Sequence, residues 1–203
     1  MSFLKNSSLL LFLTFLTACG KPKATEAENN KEAANKPQTS TTTQSSPGDA
    51  TKCTSSNSLS FDNPSVKGAG FSIQTAEARF YMMEAEGKPY PSVRVFFANY
   101  AKEGSYVQDP AKPEQRRIMV TFNGLANAKD LNAGNYPAAA QGFGASLGAG
   151  AGIQSGEAMG YLTGAKGQAV LDYIGPDKIC GTVDIQGSDG TFIKGSFSVP
   201  LTR

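Results

Sequence analysis

Between residues 20 and 52 the chain contains no Val, Ile, Leu, Met, Phe, Trp or Tyr. A segment with nothing apolar to bury cannot offset the conformational entropy of ordering itself. Any hydrophobic core must therefore come from residues 53–203. Lys21, Lys23, Lys31, Lys36 and Lys52 nearly balance Glu26, Glu28, Glu32 and Asp49, and Thr, Ser, Gln, Asn and Pro fill most of the rest. This composition predicts a disordered spacer over 19–52, with a root-mean-square span of roughly 30 Å.

Residues 53–203 are enough for one domain with a real core, and every tyrosine lies there. Its periodicity is that of strands. Ile193, Gly195, Phe197, Val199 and Leu201 alternate with Lys194, Ser196 and Ser198, and before them Ile179, Val183 and Ile185 alternate with Thr182 and Asp184. Gly187, Ser188, Asp189 and Gly190 supply a turn, so the chain closes on an antiparallel hairpin. Further strands are marked by Ala76, Ala78, Phe80 and Met82; by Val93, Val95 and Phe97; by Ile118, Val120 and Phe122; and by Ala169, Leu171 and Tyr173. Phe71 and Ile73 suggest an earlier strand ending near Gln74. No stretch sustains apolar residues at i, i+3, i+4 and i+7 over three turns. The expectation is an all-β fold, an antiparallel two-sheet sandwich of about seven to eight strands, with a closed β-barrel as the alternative.

Composition removes several function classes. The chain has no histidine, which excludes a Ser-His-Asp or Cys-His relay and histidine-ligated zinc. With 19 basic and 17 acidic side chains the formal charge is only +2, which argues against nucleic acid as a partner.

At the amino terminus Lys5 precedes the apolar run 9–16, followed by Thr17 and Ala18. This is the layout of a secretory signal, and the run is far shorter than the ~20 residues that span a bilayer as a helix. Leu16-Thr17-Ala18-Cys19 resembles the lipobox of bacterial lipoproteins. The resemblance implies removal of residues 1–18, acylation of Cys19 and membrane attachment through at least two chains, which anchor stably where one binds marginally. Gly20 rather than aspartate follows Cys19, which by the same resemblance favours the outer membrane, on its periplasmic side or at the cell surface. The alternative is an ordinary secretory signal with a chance cysteine near its end.

With Cys19 committed to lipid, Cys53 and Cys180 remain, and an even remainder outside the cytosol reads as one disulfide. It would close a loop of about 127 residues, for which chain entropy gives roughly 5 kcal/mol as an upper value. Cys180 has the opposite parity to Val183 and Ile185, which puts the bridge on the outer face or end of its strand. The pair is too far apart in sequence for Cys-x-x-Cys redox chemistry.

The glycine-rich stretch 142–167 suggests a phosphate-cradling loop, but Gly150, Gly152 and Gly156 miss the dinucleotide spacing, and Gly164-Ala165-Lys166 lacks the rest of a Walker motif. It reads instead as a mobile loop or irregular edge strand, with Phe143 and Tyr161 as the candidate binding surface. Tyr90, Tyr100, Tyr106 and Tyr136 also fall in or beside expected loops, where amphipathic rings suit a glycan or protein partner. Asp172, Asp177, Asp184 and Asp189 fit solvated turns and strand faces better than a paired-carboxylate or calcium site. Arg116 and Arg117 begin a strand and read as edge charges that deter sheet pairing. No metal ligand set, cofactor motif or catalytic constellation emerges.

These readings converge on a lipid-anchored envelope protein acting as a binding, structural or interaction module. A carboxylate-based glycan enzyme, or an inhibitor of an envelope hydrolase, is the alternative. Substituting Cys19→Ala is expected to abolish incorporation of labelled fatty acid and partitioning into detergent. Continued labelling of the variant would remove Cys19 as the attachment point.

Overall fold

A computed structural model describes residues 46–63, 71–139, 146–156 and 158–203, all within the unit Thr42–Arg203. Cys19, the leader, Phe143 and the spacer up to residue 45 lie outside the described residues. The fold is all-β. Its strands are β1 (Ser58–Asp62), β2 (Thr75–Ala85), β3 (Lys88–Ala98), β4 (Arg116–Asn123), β5 (Gly134–Pro137), β6 (Gly148–Ser155), β7 (Ala158–Tyr161), β8 (Lys166–Ile174), β9 (Lys178–Gln186) and β10 (Phe192–Thr202). A single 3-10 turn at Ala50–Lys52 accompanies them, and among the described residues no helix is long and apolar enough to cross a membrane.

The strands hydrogen-bond into one sheet in the order β5-β8-β9-β10-β2-β3-β4-β6-β7, with β1 added along β10. All neighbours are antiparallel except β10 and β2, which pair in parallel at Leu201 with Ala78 and Thr202 with Arg79. Continuity depends on β10. Its length lets it pair with β9 through Pro200, with β1 over its first half and with β2 through its last residues. The sheet does not close into a barrel: among the described residues β5 and β6 are joined by the isolated bridge Ala138–Ala149 alone, and β7 continues past β6.

The sheet curls, because rings far apart in its order meet. Phe197 on β10 lies 6.2 Å from Phe97 on β3 and 5.9 Å from Phe122 on β4, and Tyr136 on β5 stands edge-on to Phe122 at 5.3 Å. Around them the alternation of the sequence is realised. Ile193, Phe197, Val199 and Leu201 are buried together with Ile179, Val183, Ile185, Val93, Val95, Ile118 and Val120. Gly195 stands opposite Leu59 of β1, and a Cβ there would lie 1.8 Å from the Ser58 carbonyl oxygen. Only glycine lets β1 approach this closely.

Three expectations change. Phe71 and Ile73 form no strand; they pack against the core from an extended segment, Phe71 edge-on to Phe61 at 5.0 Å. Residues ahead of Cys53 are already tied to the sheet. Asp49 N–H donates to the Asp172 carbonyl, Ile174 N–H to that of Pro47 and Ala133 N–H to that of Ser46. Backbone pairing needs no apolar side chain, which is why composition placed these residues in the spacer. The glycine-rich stretch is in part strand: β6 pairs with β4 on one side and β7 on the other, while β7, four residues long, is the edge of the sheet as expected, and residues 142–145 and 157 lie outside the described residues. The cysteine expectation holds, with Cys53 and Cys180 bonded, their Cα atoms 5.4 Å apart. Cys180 faces away from Val183 and Ile185, beneath the segment that carries the 3-10 turn.

Tyr136 gives this core a pH dependence. Burial raises its phenol pKa to about 12 although its hydroxyl donates to the Asn132 carbonyl at 2.6 Å. The folded state thus holds this proton after an unfolded chain, titrating near pH 10, has lost it. The sign follows: the contribution is intact below pH 10 and is lost as pH rises toward about 12. Tyr136→Phe should lower stability at neutral pH by about 1 kcal/mol through the lost hydrogen bond and flatten the alkaline fall. Denaturant midpoints measured across that range for both proteins check this.

Candidate functional site

The register of β2, β3, β4, β6 and β7 fixes what their non-core face presents. Opposite the core residues stand Glu77, Arg79, Tyr81 and Met83 of β2; Tyr90, Ser92, Arg94 and Phe96 of β3; and Arg117, Met119, Thr121 and Asn123 of β4. On β6 the pattern is Gly148, Gly150 and Gly152 outward with Ala149, Ala151 and Ile153 in the core. The alternation is real but is written in glycine and alanine. Where a strand carries no outward side chains its neighbours become walls, and the result is a groove of about 460 Å³ across this face. Gly150 lines it. A Cβ on Gly152 would come 3.1 Å from the Tyr161 ring, which lies over that position from β7.

One end of the groove is closed by the segment between β3 and β4. Tyr100 and Val107 bury with Phe96 and Ala98 in a second apolar cluster, against which Met119 packs. Two buried charges clamp the segment. Glu77, its side chain only 8% exposed, accepts Val107 N–H at 2.9 Å and Arg79 Nη2 at 2.8 Å, with Lys102 Nζ at 3.6 Å. Arg117 stacks on Phe96, pairs with Asp109, and donates to Gln154 Oε1 at 2.7 Å and to the Gln108 carbonyl at 3.3 Å. Tyr100 Oη donates to the same carbonyl at 2.6 Å, and burial raises its phenol pKa above the ordinary value. Each charge is paired and hydrogen-bonded, the condition under which a buried charge is tolerable.

The aromatic residues picked from the sequence separate into classes. Tyr136 belongs to the core and Tyr90 and Tyr100 are buried. Tyr106 and Tyr161 line the groove at 43% and 38% exposure, so this surface draws Tyr161 from a strand rather than a loop. Arg117 is no edge charge, because β4 is flanked by β3 and β6. Asp189 accepts from Thr191 N–H and Oγ1, hydrogen bonds that lower its carboxyl pKa as a turn residue's would. Asp184 pairs with Lys194 on the exposed face of the closing hairpin. Among the described residues no group of acids and cysteines is placed to hold a metal ion.

Sequence reasoning missed Arg79, Tyr81, Arg94, Met119 and Thr121 as site residues. Their common signal is strand parity: each is an outward position between the apolar residues that mark its strand. No protein-family model matches the chain, and no curated protein or solved structure matches it.

Glu77 makes the clamp testable. Glu77→Ala leaves the Val107 N–H without its acceptor and Arg79 without its carboxylate, and should cost about 1–3 kcal/mol. Glu77→Gln retains an acceptor and should cost less. Faster amide exchange at Val107 in the alanine variant, with the closing hairpin unaffected, is the expected signature.

Proposed function

We propose that the protein is a lipid-anchored bacterial envelope protein whose β domain binds a small ligand in the groove formed by β2, β3, β4, β6 and β7. The groove carries this reading. Its volume of about 460 Å³ lies in the range of ligand sites, which run from ~300 to 1,000 Å³. Its lining sets tyrosine and methionine faces among many polar groups, Arg79, Arg94 and Thr121 among them. The lipobox-like leader and the apolar-poor spacer support attachment through Cys19. The Cys53–Cys180 bond is in keeping with an oxidising envelope compartment. Ring contacts between β3, β4, β5 and β10 support a two-layer, sandwich-like arrangement of the curled sheet.

A carboxylate-based hydrolase draws less support. Asp109, the carboxylate lining the groove, is engaged by Arg117, whereas glycosidase chemistry needs two carboxyl groups facing one bond.

The methionines offer a direct readout. Met83, Met119 and Met159 line the groove, whereas Met82 is on the opposite strand face and 51% exposed. In detergent-solubilised full chain with methyl-labelled methionine, a soluble digest of envelope material should shift the first three resonances and leave Met82 unmoved. Absence of any shift, or a shift confined to Met82, would remove the groove as the binding site.

A further inference from the structure

Across the groove Arg79 and Arg94 are direct cross-strand partners. Like charges so placed oppose each other, and a structure normally answers each with an acid. Arg79 has Glu77 and also stacks on Tyr106, and Arg117 has Asp109. Arg94 has neither a carboxylate nor a hydrogen-bond acceptor among the described residues; its guanidinium only stacks over Tyr81, 5.1 Å from the ring centroid. Thr121, its partner on β4, is likewise without a hydrogen bond to its hydroxyl among the described residues. An uncompensated fork of donors and a free hydroxyl therefore sit side by side at the centre of the cavity.

From this we infer that the groove takes an acidic saccharide, a sugar bearing one carboxylate, with Arg94 as the carboxylate anchor. The inference rests on the groove being the binding site. A guanidinium fork matches a carboxylate with two parallel hydrogen bonds. One unanswered cation calls for one negative charge; a phosphate monoester carries about −1.5 to −2 and would meet the Asp109 carboxylate at the closed end. The body of the ligand is indicated by the walls. Tyr106, 43% exposed in the lining, presents an amphipathic ring suited to the apolar face of a sugar, while Thr121 can bond its hydroxyls.

The test uses the full chain in detergent, titrated with a uronic-acid disaccharide and with its neutral methyl ester. Calorimetry gives affinity, and the methionine methyls report location. The acid is expected to bind about tenfold or more tightly than the ester, shifting Met83, Met119 and Met159. Arg94→Gln should erase that preference, and Arg94→Lys should restore part of it, with unchanged thermal midpoints showing that both variants fold. Equal binding of acid and ester with the same methyl shifts would overturn the charge assignment while leaving the groove as the binding site. Acid binding that survives Arg94→Gln undiminished, or that leaves the groove methyls unmoved, would overturn Arg94 as the anchor. Failure of both sugars to bind would overturn the saccharide class, and the envelope-digest titration then decides separately whether the groove binds anything.

Discussion

Phe197 on β10 packs against Phe97 on β3 and Phe122 on β4, and Phe122 in turn meets Tyr136 on β5. Without those contacts the hydrogen-bonded order would describe an open ribbon with one apolar face in water. With them the ribbon curls and buries that face on itself. Each central ring removes a large apolar area from solvent, worth about 25 cal/mol per Å², and adds edge-on ring geometry that favours the observed crossing. Because the core claims one parity of β2, β3, β4 and β6, it also dictates the other, which is how a buried cluster determines the chemistry of a surface groove.

That groove depends on opposite choices at neighbouring positions. Glycines on the outer side of β6 give depth, while the adjacent Ala149, Ala151 and Ile153 keep the strand attached to the core. Glycine in a strand interior weakens it by roughly 0.5–1 kcal/mol relative to alanine. Pairing on both sides by β4 and β7 offsets that weakness. Ion pairs occupy the closed end, leaving the charge near Thr121 unanswered.

The closing hairpin was legible because Ile179 to Leu201 alternate large apolar with polar residues, and the turn between them has the residues turns require. The cysteine pair was legible from the even number that remains once Cys19 is set aside, and strand parity told which face of β9 carries it. β6 was not, since a search for large apolar residues passes over glycine and alanine, although their alternation was present in the sequence. β1 and β5 were missed because they are short, and β1 becomes a strand only where Gly195 admits it. The site was the least legible part. Arg79, Arg94 and Thr121 become neighbours only through pairing among β2, β3 and β4, and no local pattern announces which polar positions will be left without a partner.

The attachment of residues 46–49 has a mechanical consequence. Ser46 to Asp49 hold to the loop before β5 and to β8 through a few backbone hydrogen bonds, and Cys53 follows, joined covalently to Cys180 in β9. Tension applied to the chain ahead of Ser46 would peel those bonds apart in sequence and then halt. Beyond that point the load passes through the sulfur atoms into a strand flanked by β8 and β10. The sheet would then resist as a sheared interior element rather than unzip from its edge, and the load would leave the fold intact.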